Sequence, residues 1–250
     1  MTHSAPSLSH GVVPFLRKLR SKGLRGAARS LAYRLAPWRE WIAEKYLERR
    51  LGISTTGDLS AQALGHRHPA AQGYMPTFYL SNLRILDSLR IQEGRDVFID
   101  IGSGKGRVLV LAAMRPFGKV IGVEFSALLN EIARSNIASA RRWLKCANVE
   151  LVTGDASCYE IPDDANVLYM ANPFSGEILQ KVLESVRMSL VRKPRPISLI
   201  SHGHAPIYPF EQQVRACPWL EACVEVQLPC GGRAWIYANR ILRDSSARSG

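Results

Sequence analysis

The sequence predicts an α/β fold: a doubly wound, mostly parallel seven-stranded sheet with a C-terminal antiparallel hairpin, behind a basic helical N-terminal extension. Three observations carry this expectation. Apolar runs of strand length alternate with segments of helical periodicity from residue 97 to residue 201, the pattern of parallel strands joined by crossover helices. The first of these strands enters its helix through "FIDIGSGKGRVLVLAA" (98–113), where an acid precedes glycines at 102, 104 and 106. The chain closes with "ACVEVQLP" and "RAWIYANRIL" around "CGG", a hairpin signal that adds antiparallel strands at the end of the sheet.

A chain of 250 residues suits one domain of this class with a modest extension. No apolar run approaches the ~18 residues that a membrane-spanning helix needs. The longest, "VLVLAAM" at 108–114, is core-sized. The five cysteines (Cys146, Cys158, Cys217, Cys223 and Cys230) are odd in number and form no Cys-x-x-Cys pair. They suggest neither a disulfide framework nor a zinc site, and a reducing, cytoplasmic setting is expected. The net charge of +12 is unevenly placed: residues 1–50 hold eleven Lys and Arg against three acids, Glu40, Glu44 and Glu48.

Taken in order, residues 1–39 lack any acid and mix Ser, Ala, Arg and Leu as a mitochondrial transit peptide does, which is the alternative location. "APWREWIAEKYLERRL" (36–51) continues directly as an amphipathic helix with Pro37 at a favourable first position. On it Trp38, Trp41, Ile42 and Tyr46 share one side, while Arg39, Glu40, Glu44 and Lys45 surround the rest. Two readings stand: a basic arm for an acidic partner, a membrane surface or nucleic acid, or a helix packed on the domain with a solvated basic face. Residues 53–73 are small, polar and glycine-punctuated, so a linker is expected there, and "GHRH" at 65–68 within it carries no expected chemistry. The expected organisation is an extension at 1–52, a linker at 53–73, the domain at 74–243 and a disordered tail at 244–250.

From Thr77 the pattern turns helical, with Leu80, Leu83, Leu86 and Leu89 at helical intervals. After the glycine loop, 119–124 reads as a strand, 126–141 as a helix opening on a Ser cap, and 148–154 as a strand. A strand at 166–173, a helix at 175–191 and a strand at 196–201 complete the alternation before the hairpin.

The glycine loop excludes two ligands. A triphosphate-binding loop needs Gly-Lys followed by Ser or Thr, and Gly106 follows Lys105 here. A dinucleotide loop needs a third glycine at 107, where helix and strand pack closely, and Arg107 stands there. Glu124 closes the second strand 22 residues after Gly102, where a carboxylate can accept from both hydroxyls of a ribose. A plain surface acid after a strand is the other reading of Glu124.

An acid closing the first strand before Gly-x-Gly-x-Gly resembles the first motif of the class I S-adenosylmethionine-dependent methyltransferases, and the resemblance runs from Tyr74 to Ile241. It implies S-adenosyl-L-methionine as cofactor. Gly102, Ser103, Gly104 and Gly106 would pass their backbone against the methionine end, and Asp100 would help to hold the amino group. Glu124 would take the ribose, and Asp155 with the backbone of Ala156, in "GDA" at 154–156, the adenine. "NPF" at 172–174 closes the fourth strand, adding Asn172 to the cofactor set. "YMPT" at 74–77 is similar to a Tyr-x-Pro-Thr segment in a group of lysine methyltransferases and adds Thr77; Lys105 departs from the acid often found there.

The acceptor decides what else is needed. A lysine amine with its ordinary pKa near ~10.4 costs about 4–5 kcal/mol to deprotonate at neutral pH. Asn172 and Phe174 could orient an amine through a carbonyl oxygen and a ring face, and His202, in "SHGH" at 201–204, could take a proton. His202 and His204 lack a visible third partner for a metal, and none is expected. The resemblance thus implies a methyltransferase acting on nitrogen, of a protein lysine or an amine-bearing small molecule, with Asn172, Phe174 and His202 as catalytic candidates. The alternatives are an amino-methyltransferase of nucleic acid and a catalytically inactive binding module of the same fold.

Overall fold

The sheet of this chain, in a computed structural model that describes residues 34–60, 62–64, 73–203 and 209–239, has seven strands. The segment through 33, "GHRH" at 65–68, His204 and residues 240–250, with the expected tail, lie outside the described residues. The strands are β1 (Val97–Ile101), β2 (Lys119–Glu124), β3 (Val149–Thr153), β4 (Ala165–Met170), β5 (Ser198–Gly203), β6 (Leu220–Gln227) and β7 (Arg233–Asn239). Their order is β3-β2-β1-β4-β5-β7-β6. The first five are parallel, and β7 runs antiparallel between β5 and β6.

Every residue of β1 is buried, as expected for a parallel strand covered on both faces. Val97, Ile99 and Ile101 join the face packed by α5 (Gly176–Arg192) and α6 (Pro209–Arg215). Phe98 and Tyr169 face the other side, with α2 (Tyr79–Asp87) and α3 (Arg107–Ala113). Against α3 lies α4 (Ala127–Ala140), capped by Ser126, whose hydroxyl accepts from Leu129 N as the sequence leads one to expect.

Two features of the C-terminal part go beyond the sequence reading. The second hairpin strand, not the first, lies beside β5, with Ser198 opposite Ala238 and Gly203 opposite Arg233. The apolar "RAWIYAN" takes the interior place, and β6, with Glu221 and Glu225, takes the edge, where unpaired backbone is best guarded by charge. α6 was not foreseen; at seven residues it offers little periodicity. It is held by Glu211, 6% exposed, whose Oε1 accepts from Tyr237 Oη at 2.5 Å and Arg215 Nε at 2.9 Å.

Residues 34–51, here α1, are helical, and since 34–36 already belong to the helix, Pro37 does not open it. Its orientation also differs from the simple amphipathic reading. Ala36, Glu40 and Leu51 are buried with Glu44 and Glu48 mostly covered, whereas Ile42 and Tyr46 are each 56% exposed. The acids turn inward because Arg107, 4% exposed, needs anions: Glu44 and Glu48 stand 3.1 and 3.5 Å from its guanidinium. Beyond α1, Ile53 and Thr55 are buried, and Ser54 exchanges hydrogen bonds with Asn136 of α4 at 2.8 and 3.1 Å. No helix among the described residues is long and apolar enough to cross a membrane.

Candidate active site

Strand order reverses at β1, which has β2 on one side and β4 on the other, so the loops after these strands part and leave a crevice at their C-terminal ends. A cavity of about 560 Å³ occupies that crevice. Thr77, Asp100, Gly102, Ser103, Gly104 and Glu124 line one part of it, and Asp155, Ala156, Asn172, Phe174 and His202 another. Residues spread over more than a hundred positions therefore share one space. Gly106 does not line it; a Cβ there would sit 3.0 Å from that of Ala133, so this glycine serves the packing of α3 on α4.

The loop after β1 is held from beneath and from the side. Gly102 N and Ser103 N both donate to Val123 O, at 2.8 and 3.1 Å. Glu124, 7% exposed, accepts from Gly104 N through Oε2 at 2.9 Å and from Ser126 N through Oε1 at 2.8 Å. One lone-pair position remains on each of its oxygens. Gly102 has φ +85°, and a Cβ there would come within 2.6 Å of Pro173 Cβ, so the loop packs directly on the "NPF" turn. Gly102→Ala is expected to destabilise by about 2 kcal/mol from left-handed strain and this clash, read as a lower urea midpoint. An unchanged midpoint would mean that Pro173 yields freely.

Asp100 is 3% exposed and has no hydrogen-bond partner among the described residues. Burial first, and then the charge of Glu124, pushes its pKa well above the usual carboxylate range. Tyr169, its neighbour across the β1–β4 ladder, is wholly buried and stays a phenol because burial raises its pKa. The Tyr169 hydroxyl donates to Asn82 Oδ1 at 2.9 Å and lies 2.6 Å from His202 Nδ1. Asn82 Nδ2 in turn donates to Thr77 Oγ1 at 2.8 Å. When the phenol proton goes to Asn82, His202 Nδ1–H donates to Tyr169, and in the neutral ring the lone pair is then on Nε2.

Asp155 does two things: its Oδ1 accepts from Ser157 N at 2.8 Å, capping the short turn Ala156–Cys158, and it lines the cavity. Asn172 has φ +50°, the one non-glycine positive φ among the described residues, a conformation that Asn tolerates better than most. Phe174, 7% exposed, packs into the core face of α5 and also borders the cavity.

Sequence reasoning missed the strap that covers this site. Tyr74 packs on Gly104, where a Cβ would meet the ring at 2.4 Å, and its hydroxyl donates to Thr55 O at 2.6 Å. Leu59 and Tyr74 exchange backbone hydrogen bonds at 2.9 and 2.8 Å. Lys105 does not line the cavity; its Nζ donates to Thr56 O and Gly57 O and stands 4.8 Å from the Tyr74 ring. Arg107 joins everything, donating to Thr55 Oγ1 at 2.7 Å and to Thr77 O, with its guanidinium 4.1 Å from the centre of Tyr79. The available signals were "YMPT", used for Thr77 only, and Arg107, read only as a missing glycine. Met75, Phe125 and Leu128, exposed by 69%, 51% and 58%, give the region an apolar outer surface.

No family model and no curated protein matches the sequence. Among solved structures the chain is similar to an RNA methyltransferase from Salinibacter ruber in complex with S-adenosyl-L-homocysteine, at 23% identity over 66% of this chain and 94% of that one, with TM-score 0.47. It is also similar to a SAM-dependent methyltransferase from Aquifex aeolicus (16% identity, 64% and 90% covered, TM-score 0.47). A third is phosphoethanolamine N-methyltransferase 1 of Haemonchus contortus (15% identity, 64% and 42% covered, TM-score 0.47). The strand order, with β7 inserted antiparallel between β5 and β6, is the Rossmann-like fold of class I methyltransferases.

Proposed function

We propose that the protein is an S-adenosylmethionine-dependent methyltransferase acting on nitrogen, of a protein lysine or an amine-bearing small molecule. The observation that carries this reading is the convergence of Asp100, Glu124, Asp155 and Asn172 on one cavity at the reversal of strand order. The donor set fits the cofactor. A buried carboxylate without a partner, Asp100, suits a cationic amino group, and Glu124 keeps acceptor positions for a diol. Gly102 and Gly104, both at positive φ, let Pro173 and the Tyr74 ring pack directly on the loop that the methionine end would meet. Asp155 and Ala156, which line the cavity, would meet the adenine.

Bound there, the cofactor would supply a methyl group on a sulfonium, transferred in line with departure of a neutral thioether. The chain's own task is to align a nitrogen lone pair and exclude water. Leu59 and Tyr74, which line the cavity, would serve the second. For the first, an ammonium must lose its proton, and His202, which lines the cavity, would take it at Nε2 with its Nδ1–H turned to Tyr169. Asn172 and Phe174 orient the amine by a carbonyl oxygen and a ring face.

Isothermal titration of the full chain with S-adenosylmethionine tests the cofactor, and absence of binding at about millimolar concentration would leave only a binding module of this fold. For the acceptor, lysate incubated with methyl-labelled cofactor is fractionated into protein, nucleic acid and small molecules. Label in protein or in small amines is expected; label confined to nucleic acid overturns the acceptor class.

Asp100 also makes cofactor binding pH-dependent. Its pKa is raised in the free protein and falls when an ammonium pairs with it, so binding releases a proton. Affinity therefore rises with pH up to that raised pKa and levels off above it. Asp100→Asn is expected to flatten this dependence and to weaken binding about tenfold, one charged pair's worth. The same variant should gain about 2–4 °C in Tm, because the raised pKa marks an ionised form that disfavours the folded state at neutral pH. Unchanged affinity with unchanged pH profile would remove Asp100 from the site.

A further inference from the structure

The outward side of α1 carries a positive charge that nothing on the helix balances. Glu40, Glu44 and Glu48 are the only acids among residues 1–50, and all three turn inward. Glu40 accepts from Leu80 N at 3.1 Å and from Cys230 Sγ at 3.0 Å, while Glu44 and Glu48 face Arg107. The exposed positions are left to Arg39, Lys45, Arg49 and Arg50. A second element joins them. Trp143, in the turn Arg141–Trp143 after α4, has its ring 4.7 Å from the guanidinium of Arg50 and 5.0 Å from that of Arg142. The fold thereby adds exposed Arg142 to the same basic surface from ninety residues further along the chain.

Apolar side chains stand among these cations. Ile42 and Tyr46 are each 56% exposed and Leu35 39%, and Trp38 lies beside them in edge contact with Trp41 at 5.9 Å. Basic heads with exposed aliphatic and aromatic bodies on one helix side are the composition of a helix that lies in a membrane interface. Residues 1–33, which lead into α1, carry six Lys and Arg and no acid, so the approach to this surface has the same sign. Phosphates alone, as in a nucleic acid, would engage the cations but leave Leu35 and Ile42 without a partner, since such interfaces are polar.

We propose that the outward face of α1, with the turn after α4, docks the protein on an anionic membrane surface. The cations pair with lipid phosphates, and Leu35, Ile42 and Tyr46 enter the headgroup region. This site is separate from the cofactor cavity and does not depend on the methyltransferase reading.

Co-sedimentation of the full chain with phosphatidylcholine vesicles, with and without phosphatidylglycerol, tests it. Binding is expected only to the phosphatidylglycerol vesicles and should weaken as salt is raised. The pair Lys45→Glu and Arg49→Glu is expected to lower it at least about tenfold, and Ile42→Ser several-fold at any salt. All three side chains are exposed, and an unchanged thermal melt shows that each variant is folded. Equal binding to both vesicle types, no binding to either, or release by an RNA oligonucleotide at lower concentration than by anionic vesicles overturns the proposal. Binding that ignores these substitutions also overturns it, by assigning the interaction to residues 1–33.

Discussion

Arg107→Met destabilises the protein by about 3–5 kcal/mol, the cost of breaking a buried ion pair from one side. The guanidinium is 4% exposed and meets Glu44, Glu48, Thr55 Oγ1 and Thr77 O, with the Tyr79 ring beside it. Its removal leaves two carboxylates facing an apolar thioether and two oxygen acceptors without donors. A domain holds about 5–15 kcal/mol in all, so the variant should express largely as insoluble protein. Arg107→Lys keeps the charge but not the planar fork that reaches four acceptors, and should fall between the two. Adding Glu44→Gln and Glu48→Gln to Arg107→Met should recover part of the loss, because the unpaired charges are then gone. Denaturant midpoints of the four proteins measure this, and a loss below about 1 kcal/mol for Arg107→Met would show that α1 is held by its apolar contacts instead. Deletion of residues 1–50 removes the same carboxylates and is expected to match Arg107→Met rather than to yield a sound domain.

Glu124→Ala lowers S-adenosylmethionine affinity by more than about a hundredfold, or roughly 2.7 kcal/mol. Two losses add. The ribose loses its carboxylate, and Gly104 N and Ser126 N lose the acceptor that holds the loop against α4 at 2.9 and 2.8 Å. Glu124→Gln keeps one carbonyl oxygen but presents an NH₂ to the other donor, and an intermediate loss is expected. Titration calorimetry on both variants, with thermal melts to show that each is folded, reads the effect. Binding undiminished in Glu124→Ala would place the cofactor elsewhere.

Much of the site was legible because each motif is local. A strand that stops just after Asp100 or at Glu124, a glycine that must take positive φ, and a Ser cap before α4 are decided by neighbours within a few positions. Lys119–Glu124 appears as a strand within the expected bounds for this reason, and the strand-end residues meet because parallel strands start from the same edge. The edges of the site were not legible. Tyr74 matters because its ring packs on Gly104, thirty residues on, and Tyr169 because of Asn82 and His202 on other elements. Within "NVLYM" that tyrosine reads only as one more strand residue.

The sequence by itself determined the alternation of strands and helices, the glycine loop and the acids that close β1 and β2, since periodicity and turn chemistry are properties of adjacent residues. Only the tertiary structure decided which way α1 faces. Its hydrophobic pattern favours burying Trp38, Ile42 and Tyr46, yet Glu44 and Glu48 go inward, because a guanidinium 63 positions beyond Glu44 lies under the strap and cannot be left without anions. The same long-range choice put Glu40, Glu44 and Glu48 of α1 inside and left Arg39, Lys45, Arg49 and Arg50 to the surface.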